Sequence, residues 1–273
     1  MDRASCVILG CAKNIAAHLI KSIKSLDAIR SLWKECAVVI AENGSTDGTK
    51  AMLASYGKRP TTHILTLDAE ANPIELRTER LAYIRNHMMD FVHAHPIYST
   101  YDYILIVDLD GILDGFKPSD LDFAFKSSTP WDALFANSAG SYYDVWALRS
   151  KALGLQNDCW DLVRHLQQQG FEREVARTVC VKTYQAPLQF TGPFIEVQSA
   201  FGGLGLYRLA KTKECRYDGL TRACSCQAIS PFKTPCTPQC CEHVAFHKDM
   251  IEKYGAKLFI CKTIVIRPPA EHL

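Results

Sequence analysis

The sequence predicts an α/β fold built on a mostly parallel central sheet, and three observations lead there. Short apolar runs alternate with helix-length stretches from residue 6 to residue 110. The chemically unusual residues cluster just beyond three of those runs, after Leu9, Ile40 and Val107, where layered parallel sheets bind their ligands. With 273 residues, 48% hydrophobic and 22% charged, the chain is long enough to bury both faces of such a sheet as one continuous domain over 1–273.

The elements follow in order. A first strand is read at Cys6 to Leu9, a helix from about Asn14 to Trp33, a strand at Ala37 to Ala41 and a helix at Gly48 to Tyr56. A strand at Thr62 to Leu67, a helix from about Pro73 to Val92 and a strand at Tyr103 to Val107 continue the series. Right-handed crossovers between parallel strands turn this alternation into a Rossmann-type α/β/α sandwich. The second half is less regular: a strand at Ala133 to Ala136, a helix over Asp158 to Gln169 and a strand at Gly205 to Arg208. Gly, Pro, Ser and Cys then crowd Tyr217 to Cys241, which reads as a long loop before a last helix and strand.

Charge and hydropathy exclude several functions. Lys and Arg total 31 against 29 for Asp and Glu, so no broad cationic field exists for nucleic acid. No run approaches the ~20 apolar residues of a transmembrane helix. Cys6 to Ala12 is too short and too abruptly charged for a signal peptide, so a reducing, cytoplasmic location is expected, with the 12 cysteines as free thiols or metal ligands. Cys215, Cys224, Cys226, Cys236, Cys240 and Cys241 fall close together, but their spacing is not the paired CxxC of a firm zinc site.

Four motifs carry chemistry. Glu42-Asn43-Gly44-Ser45-Thr46-Asp47-Gly48-Thr49 follows a strand and opens a helix. It reads either as a capped turn or as a nucleoside pocket with a carboxylate at the strand end. Asp108-Leu109-Asp110 ends a buried strand, where two carboxylates suit a hard divalent cation. Asp120-Leu121-Asp122 repeats the triplet in an exposed helical setting and serves as its internal control. Phe201-Gly202-Gly203-Leu204-Gly205 reads as a close-packed turn entering a strand, with Glu196 and Gln198 upstream as polar candidates. Cys241-Glu242-His243-Val244-Ala245-Phe246-His247 puts both histidines on one helical face, as ligands or as a proton donor and its partner. Between the first two motifs, Arg77-Thr78-Glu79-Arg80-Leu81-Ala82-Tyr83-Ile84-Arg85-Asn86 reads as a helix with arginines at several angles.

Together these segments resemble GT-A-type glycosyltransferases, which combine nucleotide-sugar donors with a DxD metal motif. ENGSTDGT resembles the DDGSTDGT turn of processive and family-two enzymes. RTERLAYIRN followed by YDYILIVDLDG, and then Tyr142-Tyr143-Asp144-Val145-Trp146 with Arg149, resembles fungal capsule-associated mannosyltransferases and related microbial and viral enzymes. The resemblance implies a GT-A-like fold in which 1–110 binds a nucleotide-diphosphate sugar, a UDP- or GDP-sugar, and 111–273 binds a glycan or glycoconjugate acceptor. It implies a donor site at Cys11, Ala12, Asn14, Glu42, Arg80, Arg85 and Asp108. It also implies Mn²⁺ or Mg²⁺ at Asp108 and Asp110 with His247 as third ligand and His243 in reserve, and an acceptor side at Asp144, Trp146 and Gly203. Glu242 is the expected base of an inverting transfer; the capsule enzymes, which retain configuration, keep a base-free course open. A sugar-nucleotide pyrophosphorylase would need a glycine-rich, basic triphosphate loop that Leu9 to Asn14 lacks. A nucleotide-sugar or glycan-binding protein without turnover is the non-enzymatic alternative.

Overall fold

The structure, a computed structural model, describes residues 4–114, 116–220 and 239–268. Eight strands form one sheet: β1 (Ser5–Ala12), β2 (Glu35–Glu42), β3 (Thr62–Thr66), β4 (Tyr103–Asp108), β5 (Ala133–Ser138), β6 (Phe194–Val197), β7 (Leu204–Arg208) and β8 (Leu258–Ile266). Their spatial order is β3-β2-β1-β4-β7-β5-β8-β6. β3, β2, β1 and β4 pair in parallel, as do β5 and β8, while β7 and β6 run antiparallel to their neighbours. The sheet is therefore mostly parallel, and β7 joins its two parallel blocks.

Among the described residues the α-helices are α1 (Ala16–Arg30), α2 (Thr49–Tyr56), α3 (Asp68–Ala71), α4 (Arg77–Ala94), α5 (Asp122–Lys126), α6 (Cys159–Gln168), α7 (Arg173–Cys180) and α8 (Glu242–Tyr254). Alternation along β1 shows how they layer. Cys6 and Ile8 pack with Leu19, Leu26 and Leu53 of α1 and α2, whereas Val7 and Leu9 pack with Met88, Met89 and Phe246 of α4 and α8. A strand covered on both faces reads as one continuous apolar run, which is why β1, β2 and β4 stand out in the sequence. α4 begins at Arg77 rather than near Pro73, and a short α3 precedes it. β6 and α7, which no sequence pattern announces, are a four-residue edge strand and a helix in a satellite cluster with α6.

Among the described residues, no helix is long and apolar enough to cross a membrane. Cys224, Cys226 and Cys236 lie outside the described residues, so the zinc reading of that loop does too. Cys215, Cys240 and Cys241 are buried free thiols.

Candidate active site

Parallel pairing brings the carboxyl ends of three strands together. In register, Ala12 faces Glu42 and Cys11 faces Asp108. The turn after β2 is then stitched to the end of β1. Ser45 Oγ accepts from the Asn14 backbone N–H at 2.9 Å, Asn14 Oδ1 accepts from Thr46 N–H at 2.8 Å, and Thr49 Oγ1 accepts from Ile15 N–H at 2.9 Å. Asp47 accepts from Thr49 N–H at 2.9 Å and from Ala16 N–H at 3.0 Å, so one carboxylate serves the first turns of both α2 and α1. Glu42 is 2% exposed and accepts from Ser45 N–H at 2.6 Å, with Lys50 Nζ 3.8 Å away. In this geometry Glu42 shapes the turn, and its neighbour Asn43 reaches the cleft.

The acidic triplet is anchored by its middle residue. Leu109 is 1% exposed and its carbonyl accepts from Ser22 Oγ of α1 at 2.7 Å. With Leu109 turned into the core, the flanking Asp108 and Asp110 both line the cleft. The turn Gly202-Gly203 holds them against a third carboxylate: Gly203 O accepts from Asp108 N–H at 2.9 Å, while Gly202 N–H donates to Asp144 Oδ2 at 2.9 Å. Both glycines have positive φ, 63° and 83°, and a Cβ on Gly203 would stand 2.6 Å from Ile112. Gly203 thus frames the site from beneath instead of lining it.

Burial raises the Asp108 carboxyl to about 7, with Arg85 opposing and the nearby Asp110 and Asp144 adding to the rise. Burial also raises Asp144. The folded chain therefore holds the Asp108 proton more tightly than the unfolded chain, and between roughly pH 4 and 7 this group's contribution to stability falls as pH rises. Asp108→Asn removes that titration. In chelator, its melting temperature relative to wild type is expected to be at least ~2 °C more favourable at pH 8 than at pH 5. The same difference from wild type at both pH values would contradict this arrangement.

Across the cleft stands Arg85, 4% exposed although it is an arginine. Its Nη1 pairs with Glu242 Oε1, its Nη2 lies 3.5 Å from Asp108 Oδ1, and its guanidinium sits 5.4 Å over the Phe201 ring. His243 stacks on Phe201 at 4.0 Å and lines the cleft; both of its ring nitrogens are buried without a hydrogen-bond partner among the described residues. Burial pushes its pKa well down, so it is neutral at pH 7. His247 lies below the cleft. It is fully buried, with Nδ1 on Ser199 Oγ at 2.9 Å and Nε2 on Tyr207 OH at 3.1 Å, and burial drives its pKa to about 3.

The cleft has a volume of about 540 Å³. It brings together Cys11, Asn14, Arg80, Arg85, Asp108, Asp110, Asp144, Trp146 and Glu242 of the sequence-derived candidates; Ala12, Glu42, Gly203 and His247 are not in its wall. Glu196 lies on edge strand β6, and Gln198 lines a separate hollow with Lys151 and Lys248. Lys13, Asn43, Arg77, Tyr143, Phe201 and Cys241 join the wall although no sequence signal favours them over their neighbours. Among the described residues, no three His, Cys, Asp or Glu side chains form a ready metal cage. Two carboxylates with substrate phosphates and water completing the shell is the usual Mg²⁺ pattern, so Asp108 and Asp110 fit a hard divalent ion and His247 is placed outside that set.

No family model matches the chain, and no curated protein matches it. Solved structures do. TarS 1–349 from S. aureus matches at TM-score 0.47 and 14% identity, over 96% of this chain and 59% of that one. Glucosyl-3-phosphoglycerate synthase from Mycobacterium tuberculosis, in complex with Mn²⁺, UDP and glucosyl-3-phosphoglycerate, matches at 0.44 and 13%, over 97% and 69%. The mannosyltransferase PcManGT from Pyrobaculum calidifontis, in complex with GDP-Man and Mn²⁺, matches at 0.49 and 14%, over 97% and 57%. This chain thus spans under three fifths of the first and third. With these TM-scores below 0.5, what the cleft can do is judged from its own residues.

Proposed function

We propose that this chain is a metal-dependent glycosyltransferase of GT-A-like fold, moving a sugar from a nucleotide-diphosphate sugar to a hydroxyl of a glycan or glycoconjugate. The observation that carries the reading is Asp108 and Asp110, held by buried Leu109 at the end of β4 in a cleft that Arg77, Arg80 and Arg85 of α4 also line. Asp108 and Asp110 would hold Mn²⁺ or Mg²⁺, which offsets charge on the departing diphosphate. Lys13, Arg77 and Arg80 supply the chain's own cations for that diphosphate, and Cys11, Asn14 and Asn43 line the nucleoside end. Of the two late histidines, His243 is the one in the cleft wall.

The Arg85–Glu242 pair bears on the stereochemical course. If Glu242 is the base of an inverting transfer, it takes the acceptor hydroxyl's proton on Oε2, since Oε1 is engaged by the guanidinium. The paired guanidinium keeps Glu242 ionised and weakens it as a base, so the anomeric outcome is what separates the two courses. The test is release of UDP or GDP from a panel of nucleotide sugars in Mn²⁺, Mg²⁺ or chelator, with the anomeric configuration of the product read by NMR. Metal-dependent release supports the reading, and a retained anomer assigns Glu242 to holding Arg85. Nucleotide binding with no release under any acceptor would make the chain a binding protein.

A further inference from the structure

Large apolar side chains left in water are few in this fold, and they are not scattered. Among the described residues seven are exposed, and four of them, Phe171, Val175, Val179 and Tyr184, fall within residues 171–184. Val175 and Val179 of α7 are four apart, and Phe171 stands at the same spacing just before the helix, so the three line one face. They are 51%, 47% and 53% exposed in chain order. The opposite face is already covered: Ala176 and Cys180 are buried with Cys159 and Val163 of α6. A surface helix ordinarily turns its one apolar stripe inward. α7 carries a second stripe outward, and exposed apolar side chains gathered in one place mark an interaction surface where single ones do not.

Charge along the stripe says what it fits. Its N-terminal end, Phe171 to Glu174, carries Glu172 and Glu174 with Arg173, one base less two acids, for a net charge of −1. Its C-terminal end, Val175 to Tyr184, carries Arg177 and Lys182 and no acid, for a net charge of +2. A two-fold contact is made by the same patch on both copies, and with the helices antiparallel it lays each end against the opposite end of the partner. The acids of one copy then meet the bases of the other, and Phe171 meets Val179 on either side of Val175. The pairs Glu174 makes within the chain, with Lys182 at 3.2 Å and Arg177 at 3.7 Å, are exposed ones that cost little to exchange. An anionic lipid surface fits less well, because the acids flank the stripe and ~12 Å of helix offers little of the apolar area on which membrane binding depends.

We infer that this face binds a second copy of the chain, as an antiparallel α7-to-α7 dimer about a two-fold axis. A stable interface takes ~800 Å² from each partner, more than a helix of ~12 Å offers, so the dimer forms at high concentration and dissociates on dilution. The inference stands apart from the glycosyltransferase reading.

The test is sedimentation velocity on the full chain in reducing buffer, from about 1 to about 200 μM, where mass action shifts a weak dimer. The weight-average sedimentation coefficient is expected to rise from the monomer value toward that of a dimer. Val175→Lys should weaken dimerisation about tenfold or more, while the melting temperature of the dilute protein, where Val175 faces water, stays at the wild-type value. Lys182→Glu should weaken dimerisation about threefold, and adding Glu172→Lys to it should restore the wild-type constant. A chain monomeric throughout the range, a dimer that survives Val175→Lys, or a double reversal no better than Lys182→Glu alone would each overturn the inference. So would a monomeric chain that pellets with phosphatidylglycerol vesicles unless Val175 is replaced, which would give this face to a membrane.

Discussion

Asp110→Asn is expected to abolish metal-dependent stabilisation by nucleotide and to lower sugar transfer about 10²- to 10³-fold, because several kcal/mol of charge stabilisation go with the ion. The expectation follows from the fold at this position. Leu109 and Ser22 fix the backbone from the core side, so an asparagine of the same shape changes charge without moving the turn. The Asp120-Leu121-Asp122 triplet supplies the control: Asp122 opens α5, away from the cleft. Asp122→Asn should leave transfer within about twofold of wild type, as a surface change does. Steady-state transfer rates at saturating Mn²⁺ check both variants. Equal losses in the two would sever the link between the β4 triplet and the chemistry.

Arg85→Met is expected to destabilise the protein by about 3–5 kcal/mol, because removing one partner of a buried ion pair leaves the other charge uncompensated. For a chain of this size that lowers the melting temperature by roughly 10 °C. Glu242 loses its partner, and Asp108 loses the cation that does most to lower its pKa. The double variant Arg85→Met with Glu242→Leu should recover much of the loss, since replacing both members of a buried pair by apolar groups is often close to neutral. Thermal unfolding of the three proteins in chelator decides the matter. A double variant no more stable than Arg85→Met would mean that Arg85 stabilises the fold through contacts other than this pair.

The strands lining the cleft are legible in the sequence because they are covered on both faces. Val7 to Leu9, Ala37 to Ala41 and Tyr103 to Val107 have no solvent side to interrupt their apolar runs. The carboxylates after β4 are legible for the same reason, since a charged residue stands out where a buried strand ends. Arg85 is less so, although a signal exists. Thr78, Ala82, Arg85, Met89 and Val92 form one buried stripe on α4, and an arginine in such a stripe is a buried charge that needs a partner. The partner, Glu242, lies 157 residues away, and no local pattern announces it. The two late histidines show the limit of spacing arguments. His243 and His247 share a helical face as the i, i+4 rule requires, yet one lines the cleft and the other is enclosed by Ser199 and Tyr207 beneath it. A face that points at the sheet borders the cleft at one end of the helix and the core one turn later.

Every role proposed for this cleft depends on Asp108 and Asp110 making it a metal-dependent nucleoside-diphosphate site. Isothermal titration of UDP and of GDP, first with Mn²⁺ and then with chelator, decides whether they do. One-to-one binding of at least one of the two is expected with Mn²⁺, lost in chelator and lost in Asp110→Asn. No binding of either nucleotide, or binding of equal strength in chelator, would contradict it.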